Sequence, residues 1–199
     1  LHACPELAFE ERQTAAFIAG KLAEWGIQLK DGYGGTGLVG TLKRGASSRA
    51  IAIRADMDAL PIVEASGVAY ASRTAGKMHA CGHDGHVSML LAAARQASEM
   101  DFDGTVHFIF QPAEEAEGGA RVMVADGLFR DFPADAVYAL HNWPALDVGS
   151  VVARDDAMMA AFGVFEITIS GRGAHGAMPH EGADPLVAAA QIVTALQTI

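Results

Sequence analysis

Apolar positions along the 199-residue chain fall into two rhythms that alternate from start to end. Between Pro5 and Trp25, Phe17, Ile18, Leu22 and Trp25 recur at helical spacing behind a proline and several acidic residues, which predicts an amphipathic helix stopped by Gly26. A glycine-rich stretch leads into Leu38–Leu42, a short strand, and 43–49 is a polar turn. Ala50-Ile-Ala-Ile53 is continuously apolar, as expected of a strand covered on both faces. A helix is predicted from about His86 to Glu99, then the strand Thr105–Phe110, a short helix over Gly118–Ala125 stopped by Gly127, and the strand Ala136–Leu140. Beyond Met158, Phe162–Ser170 alternates enough for a strand with one exposed face, and 186–199 is helical. Strands that alternate with helices predict an α/β sheet with parallel neighbours.

In such sheets ligands collect outside the carboxyl ends of the strands. Chemically capable side chains recur there: Asp56 and Asp58 after one strand, Glu114 and Glu115 after the next, His141 after a third. The densest stretch is Met78-His-Ala-Cys-Gly-His-Asp-Gly-His86, which leads into a helix; Cys81 and His83, two apart, can face one centre. Thiolate and imidazole are preferred ligands of zinc and similar ions. Cys81, His83, one of the paired glutamates and His141 make a sulfur, nitrogen and oxygen set suited to zinc, manganese or cobalt, and unlike an all-oxygen calcium site. An isolated Glu-Glu pair is ordinarily a solvated turn, here with Glu117 beside it; on a metal-bearing edge one glutamate can bind an ion while its neighbour serves as general base. Asp56 and Asp58, at i and i+2, either bind metal or support the ligands, with Arg54 able to pair with either. His79 and His86 read as supporting residues, His107 as a packed mid-strand histidine, and His2 and Cys4 as structural. His175 and His180 lie on a later loop, where either can meet an oxyanion or a carboxylate.

Composition narrows the function classes. With 14 basic and 24 acidic residues the net charge is −10, and no basic stripe is present to meet phosphates, so a nucleic-acid partner is not expected. No uninterrupted apolar run approaches about 18 residues, so no membrane span is expected. Two cysteines, Cys4 and Cys81, build no disulfide framework, and nothing resembles a signal peptide, which together suggest a cytoplasmic protein. The start without Met and the final helical pattern without a C-cap suggest a piece of a longer chain. A hinge at Asp155–Met158 would divide it into 1–158 and 159–199.

With these residues assembled, the chain resembles the M20 metallopeptidases, and within them the aminoacylase-like amidohydrolases, which include hippurate hydrolases and auxin-conjugate hydrolases. The resemblance rests on His2-Ala-Cys-Pro-Glu-Leu, Arg54-Ala-Asp-Met-Asp-Ala-Leu-Pro61, Met78–His86, Gln111-Pro-Ala-Glu-Glu115, Leu140-His-Asn-Trp143 and Gly171–His180, in order along essentially the whole chain. It implies a zinc-exopeptidase-like three-layer α/β catalytic domain, of which 1–158 is the N-terminal part. A smaller inserted α+β lid and dimerisation domain would begin at 159–199, with assembly as a homodimer or tetramer. It implies two divalent ions (zinc, manganese or cobalt) on Cys81, His83, Glu115 and His141, with Glu114 as general base. His175 matches a lid histidine that helps hold substrate or oxyanion. The implied reaction is hydrolysis of N-acyl amino acids; a dipeptidase or aminopeptidase of the same family, or a non-catalytic metal-binding relative, is the alternative. One departure stands out: the family's further histidine ligand near its C-terminus has no counterpart here.

Overall fold

The computed structural model describes residues 1–115, 118–161 and 163–199, in two compact units, Leu1–Asp147 and Val148–Ile199. The expected boundary after Met158 lies within the second of them. The first unit is built on one five-stranded sheet: β1 (Gln28–Tyr33), β2 (Gly37–Arg44), β3 (Ala50–Asp56), β4 (Gly104–Gln111) and β5 (Ala136–Ala139), in the spatial order β1-β2-β4-β3-β5. β3 runs parallel to both β4 and β5, whereas β1–β2 and β2–β4 are antiparallel. The sheet is therefore mixed, where the alternating pattern predicts parallel neighbours. The cause is local: β1 escapes notice among polar residues and glycines, and left-handed Gly34 and Gly35 (φ 60° and 81°) fold it straight back onto β2 as a hairpin.

Alternation of side chains along the central strands sends apolar residues to both faces. Leu38, Leu42, Ala55, Phe108 and Phe110 pack under α1 (Arg12–Glu24) and α2 (His83–Ser98), against Ile18, Leu22, Val87, Leu90, Leu91 and Ala94. Val39, Ala52 and Ile109 face the other way and meet Met123 of α3 (Gly119–Ala125), Leu128 of α4 (Leu128–Asp131) and Phe132. This is a three-layer α/β arrangement, as expected.

Helix α1 begins at Arg12, later than the pattern predicts. The preceding segment is held out of the helix: Phe9 sits at φ 62°, and the buried Glu6 carboxylate accepts the N–H groups of Gln13 (3.0 Å) and Thr14 (2.8 Å), which a longer helix would have used itself. Gly127 (φ 97°) turns the chain from α3 into α4.

In the second unit, the expected strand does not form over 163–170, and Phe162 lies outside the described residues. A strand needs a neighbour for its backbone groups, and the isolated bridge Arg172–Ala183 is the pairing present among this unit's described residues. The unit's helix, α5 (Pro185–Leu196), is capped by the Asp184 carboxylate, which accepts the Leu186 N–H at 2.9 Å. Among the described residues, no helix is long and apolar enough to cross a membrane.

Candidate metal centre

Parallel pairing brings the carboxyl ends of β3, β4 and β5 to one edge of the sheet, with Asp56 in register with Gln111 and Arg54 with Ala139. The residues that follow these strands, Met57–Asp58, Pro112–Glu115 and Leu140–Asn142, therefore share that edge. The Cys81–His83 loop joins them because α2 packs along β3. Gly82 makes the entry possible: at φ 86° it is the N-cap of α2, where a left-handed backbone favours glycine.

His83 is the centre of the cluster. Fully buried, it places Nε2 3.6 Å from Asp56 Oδ2, 3.7 Å from Glu115 Oε1 and 3.9 Å from Glu114 Oε2, and Nδ1 3.3 Å from Asp58 Oδ1. Neither ring nitrogen has a hydrogen-bond partner, nor do Asp58 Oδ1 and Glu115 Oε1. Three overlapping donor groups contain His83: Cys81 and His141, Glu114 and Glu115, and Asp56 and His86. Cys81 Sγ lies 3.4 Å from His141 Nε2, and the opposite nitrogen of His141 contacts the Asn142 carbonyl at 2.7 Å. Leaving several buried polar atoms unpaired is costly; a divalent ion satisfies imidazole nitrogen, thiolate and carboxylate oxygen together. The donor set fits such an ion.

The remaining polar groups hold this set in place. The Asp58 carboxylate accepts the Glu115 N–H at 3.0 Å. Asp56 takes Arg54 Nη1 at 2.8 Å on one oxygen and meets His86 Nδ1 at 2.6 Å with the other. His86 Nε2 faces Asn142, accepting its backbone N–H at 3.0 Å and contacting its side-chain oxygen. Arg54 also donates from Nε to Gln111 at 2.8 Å, tying β3 to β4 at the site edge. Of the alternatives open for Arg54, the structure pairs it with Asp56.

Electrostatics follow from this crowding. Burial opposes ionisation of Asp56, but His86, Arg54 and His83 outweigh it and hold its carboxyl at about 2. Asp58 is lowered likewise against burial, by His83 and the backbone N–H groups of Glu115 and Glu114. Burial tends to discharge His83, yet Asp58, Asp56 and Glu115 raise its pKa. Burial raises Glu115, and burial with the Glu115 charge pushes the Cys81 thiol up to about 12. A cation among them reverses the local field and favours the thiolate.

Thus Cys81, His83, Glu114, Glu115, His141, Asp56 and Asp58 converge. His175 and His180 belong to the second unit, where both are exposed and His175 Nδ1 accepts the Ala177 N–H at 3.1 Å. His107 is buried mid-strand with Nδ1 2.9 Å from Thr41 Oγ1. His79 is also buried, with neither ring nitrogen partnered. Asn142 lies within the Leu140–Trp143 motif, but its residue type does not declare a role, which emerges only when the fold sets it against His86.

Residues 52–198 match the family described as Peptidase family M20/M25/M40. The chain is 44% identical over 199 residues to the hippurate hydrolase of Campylobacter jejuni, spanning 100% of this chain and 52% of that protein. It is 45% identical over 201 residues to the N-acetyl-L-cysteine deacetylase of Bacillus subtilis, spanning 48% of that protein. The chain thus spans about half the length of the curated relatives it matches. Among crystal structures, the Bacillus subtilis YXEP protein, described as a dinuclear metal binding peptidase from the M20 family, is similar with a TM-score of 0.71 at 40% identity, over 75% of this chain and 42% of that one. An aminohydrolase candidate from methicillin resistant Staphylococcus aureus gives a TM-score of 0.80 at 36% identity, over 100% of this chain and 53% of that one.

Proposed function

The chain belongs to peptidase family M20/M25/M40, and from that premise we propose that the full-length protein is a metal-dependent amidohydrolase that cleaves N-acyl amino acids to a carboxylic acid and a free amino acid. The observation that carries this reading is the buried, unpartnered His83 imidazole with a thiol, a second imidazole and two glutamates around it. Similarity to proteins named hippurate hydrolase and N-acetyl-L-cysteine deacetylase supports the substrate class.

In this reading Cys81, His83, Glu115 and His141 hold two divalent ions, which are zinc, manganese or cobalt. Bound there, such ions polarise an amide carbonyl and acidify water. Glu114 is the more exposed of the glutamate pair, its side chain 43% accessible against 22% for Glu115, so it can reach an incoming water. Its carboxylate takes the water proton and passes it to the departing amine nitrogen. Asp58 fixes the backbone of this pair through the Glu115 N–H, and Asp56 holds the His86 ring beside His83. His175 steadies the developing oxyanion from a lid and dimerisation domain that begins at 159–199, in a homodimer or tetramer. A reduced Cys81 suits the cytoplasm. Dipeptide hydrolysis is the second reading, favoured by the likeness to the Bacillus subtilis dinuclear metal binding peptidase.

The test pairs metal content with turnover in the full-length protein. Elemental analysis without added metal should find transition metal in the parent and little in Cys81→Ser. A panel of acetyl, benzoyl and aminoacyl amides then separates the two readings. No metal in the parent sinks both; metal without turnover on any amide leaves a binding protein.

A further inference from the structure

Glu11 is fully buried and no Lys, Arg or His among the described residues forms an ion pair with it. Its carboxyl instead spans two distant segments: Oε2 accepts the Thr36 hydroxyl at 2.6 Å, and Oε1 accepts the Ala113 N–H at 2.9 Å. Ala113 immediately precedes Glu114 and Glu115. Among the described residues it is one of two non-glycine residues with positive φ, at 52°, a conformation that a Cβ disfavours. The turn persists because both of its backbone groups are held: the N–H by Glu11, and the carbonyl by the Gly119 N–H at 2.9 Å. Gly119 comes so close that a Cβ there would lie 1.9 Å from the Pro112 carbonyl oxygen.

The N-terminal arm touches two of the other three site segments as well. The Glu6 carbonyl accepts the Ala59 N–H at 2.8 Å, next to Asp58. His2 Nδ1 contacts Asp84 Oδ2 at 2.8 Å, next to His83. Of these links, the one from Glu11 acts on a strained backbone.

We propose that Glu11 is a positioning residue: its carboxyl clamps Ala113 in the left-handed turn that directs Glu114 and Glu115 toward His83. The proposal rests on the reading of that pair as base and ligand. A carboxyl is suited to the task because it offers one acceptor to each segment and needs no proton from either. Glutamine keeps an oxygen for the Ala113 N–H and can turn its amide toward Thr36 Oγ1, so it should substitute. Leucine of similar volume cannot.

The experiment compares full-length parent, Glu11→Gln, Glu11→Leu and Glu11→Leu with Ala113→Gly. Amide hydrogen exchange reads the turn directly, and competition with a chromogenic chelator, using zinc as the probe, reads metal affinity. Glu11→Leu should speed exchange over 113–115 at least tenfold while α2 is unchanged, and weaken zinc binding at least tenfold. Glu11→Gln should stay within threefold of the parent in both. Ala113→Gly in the leucine background should recover most of the lost affinity, because glycine adopts the turn without the clamp. Unchanged exchange in Glu11→Leu, or a glutamine variant as damaged as the leucine one, overturns the proposal. So does faster exchange with undiminished affinity. If the leucine variant does not fold, Thr36→Val, which replaces the hydroxyl by a methyl group, should raise exchange at 113–115 about threefold, and no rise overturns it. A parent that binds no zinc defeats the metal-centre reading instead, and the exchange comparison still decides the clamp.

Discussion

Alanine at two neighbouring glycines of the Cys81–His86 stretch should move stability in opposite directions. At Gly82 the backbone is left-handed (φ 86°), and an added Cβ would lie 2.5 Å from Asn142 Nδ2, 2.8 Å from Oδ1 and 2.9 Å from Cγ. The left-handed conformation alone costs a non-glycine residue about 1–2 kcal/mol. Displacing the Asn142 side chain also disturbs the segment whose backbone N–H His86 Nε2 accepts at 3.0 Å, a hydrogen bond worth about 0.5–1.5 kcal/mol. Gly82→Ala should therefore destabilise by roughly 1.5–3.5 kcal/mol, the sum of these two terms. Gly85, three residues on and inside α2, has no positive φ and nothing within 4 Å of an added Cβ. Gly85→Ala should stabilise by about 0.5–1 kcal/mol through helix propensity. Urea unfolding of parent and both variants, followed by circular dichroism at equal slope, gives the two differences. Gly82→Ala within 1 kcal/mol of the parent, or Gly85→Ala the more damaging of the two, would refute the assignment of Gly82 as the residue that lets the thiol loop pass beneath Asn142.

Three further outcomes follow from the same geometry. Glu114→Gln should lower turnover about 10²–10⁴-fold with bound metal unchanged by elemental analysis; retained activity would remove Glu114 as the base. Phe108→Ala, which empties a completely buried position between the sheet and α1/α2, should cost about 3–5 kcal/mol in urea unfolding, and a loss below 1 kcal/mol would mean that this face is not the main core. Burial lowers the His107 pKa against the Pro133 backbone, so the fold holds the ring neutral where the unfolded chain protonates it. The unfolded state then binds more protons below the ordinary imidazole range, and this contribution to stability is lost as pH falls through it. Unfolding free energies between pH 7 and 5 should decline more steeply for the parent than for His107→Asn, and parallel curves would refute this.

Much of this protein is legible in local patterns. The run Ala50–Ile53 reads as a strand because continuous apolarity has few other uses at that length, although Ile51 stays exposed in the fold, and Thr105–Phe110 reads as a second strand. The donor residues that follow them read as one edge because parallel strands end on the same side, and Cys81 and His83 declare their chemistry by type. Residues whose role depends on a distant partner are a different matter. β1 is invisible as the sequence Gln-Leu-Lys-Asp-Gly-Tyr and becomes a strand only through its pairing with β2. The 163–170 segment alternates like a strand but finds no ladder among the described residues of its unit. Pro5 to Glu11 carries a helical pattern, yet Glu6 and Glu11 spend their carboxyls on the start of α1 and on Ala113, 102 residues apart in the second case. Asn142 and Asp56 gain their place by closing on His86 from a loop and from the end of β3. Residue type and spacing determine which chemistry is possible and which strand it follows. Only the folded chain decides which buried polar atom meets which, because hydrogen bonds over such separations depend on where the sheet order β1-β2-β4-β3-β5 sets each loop.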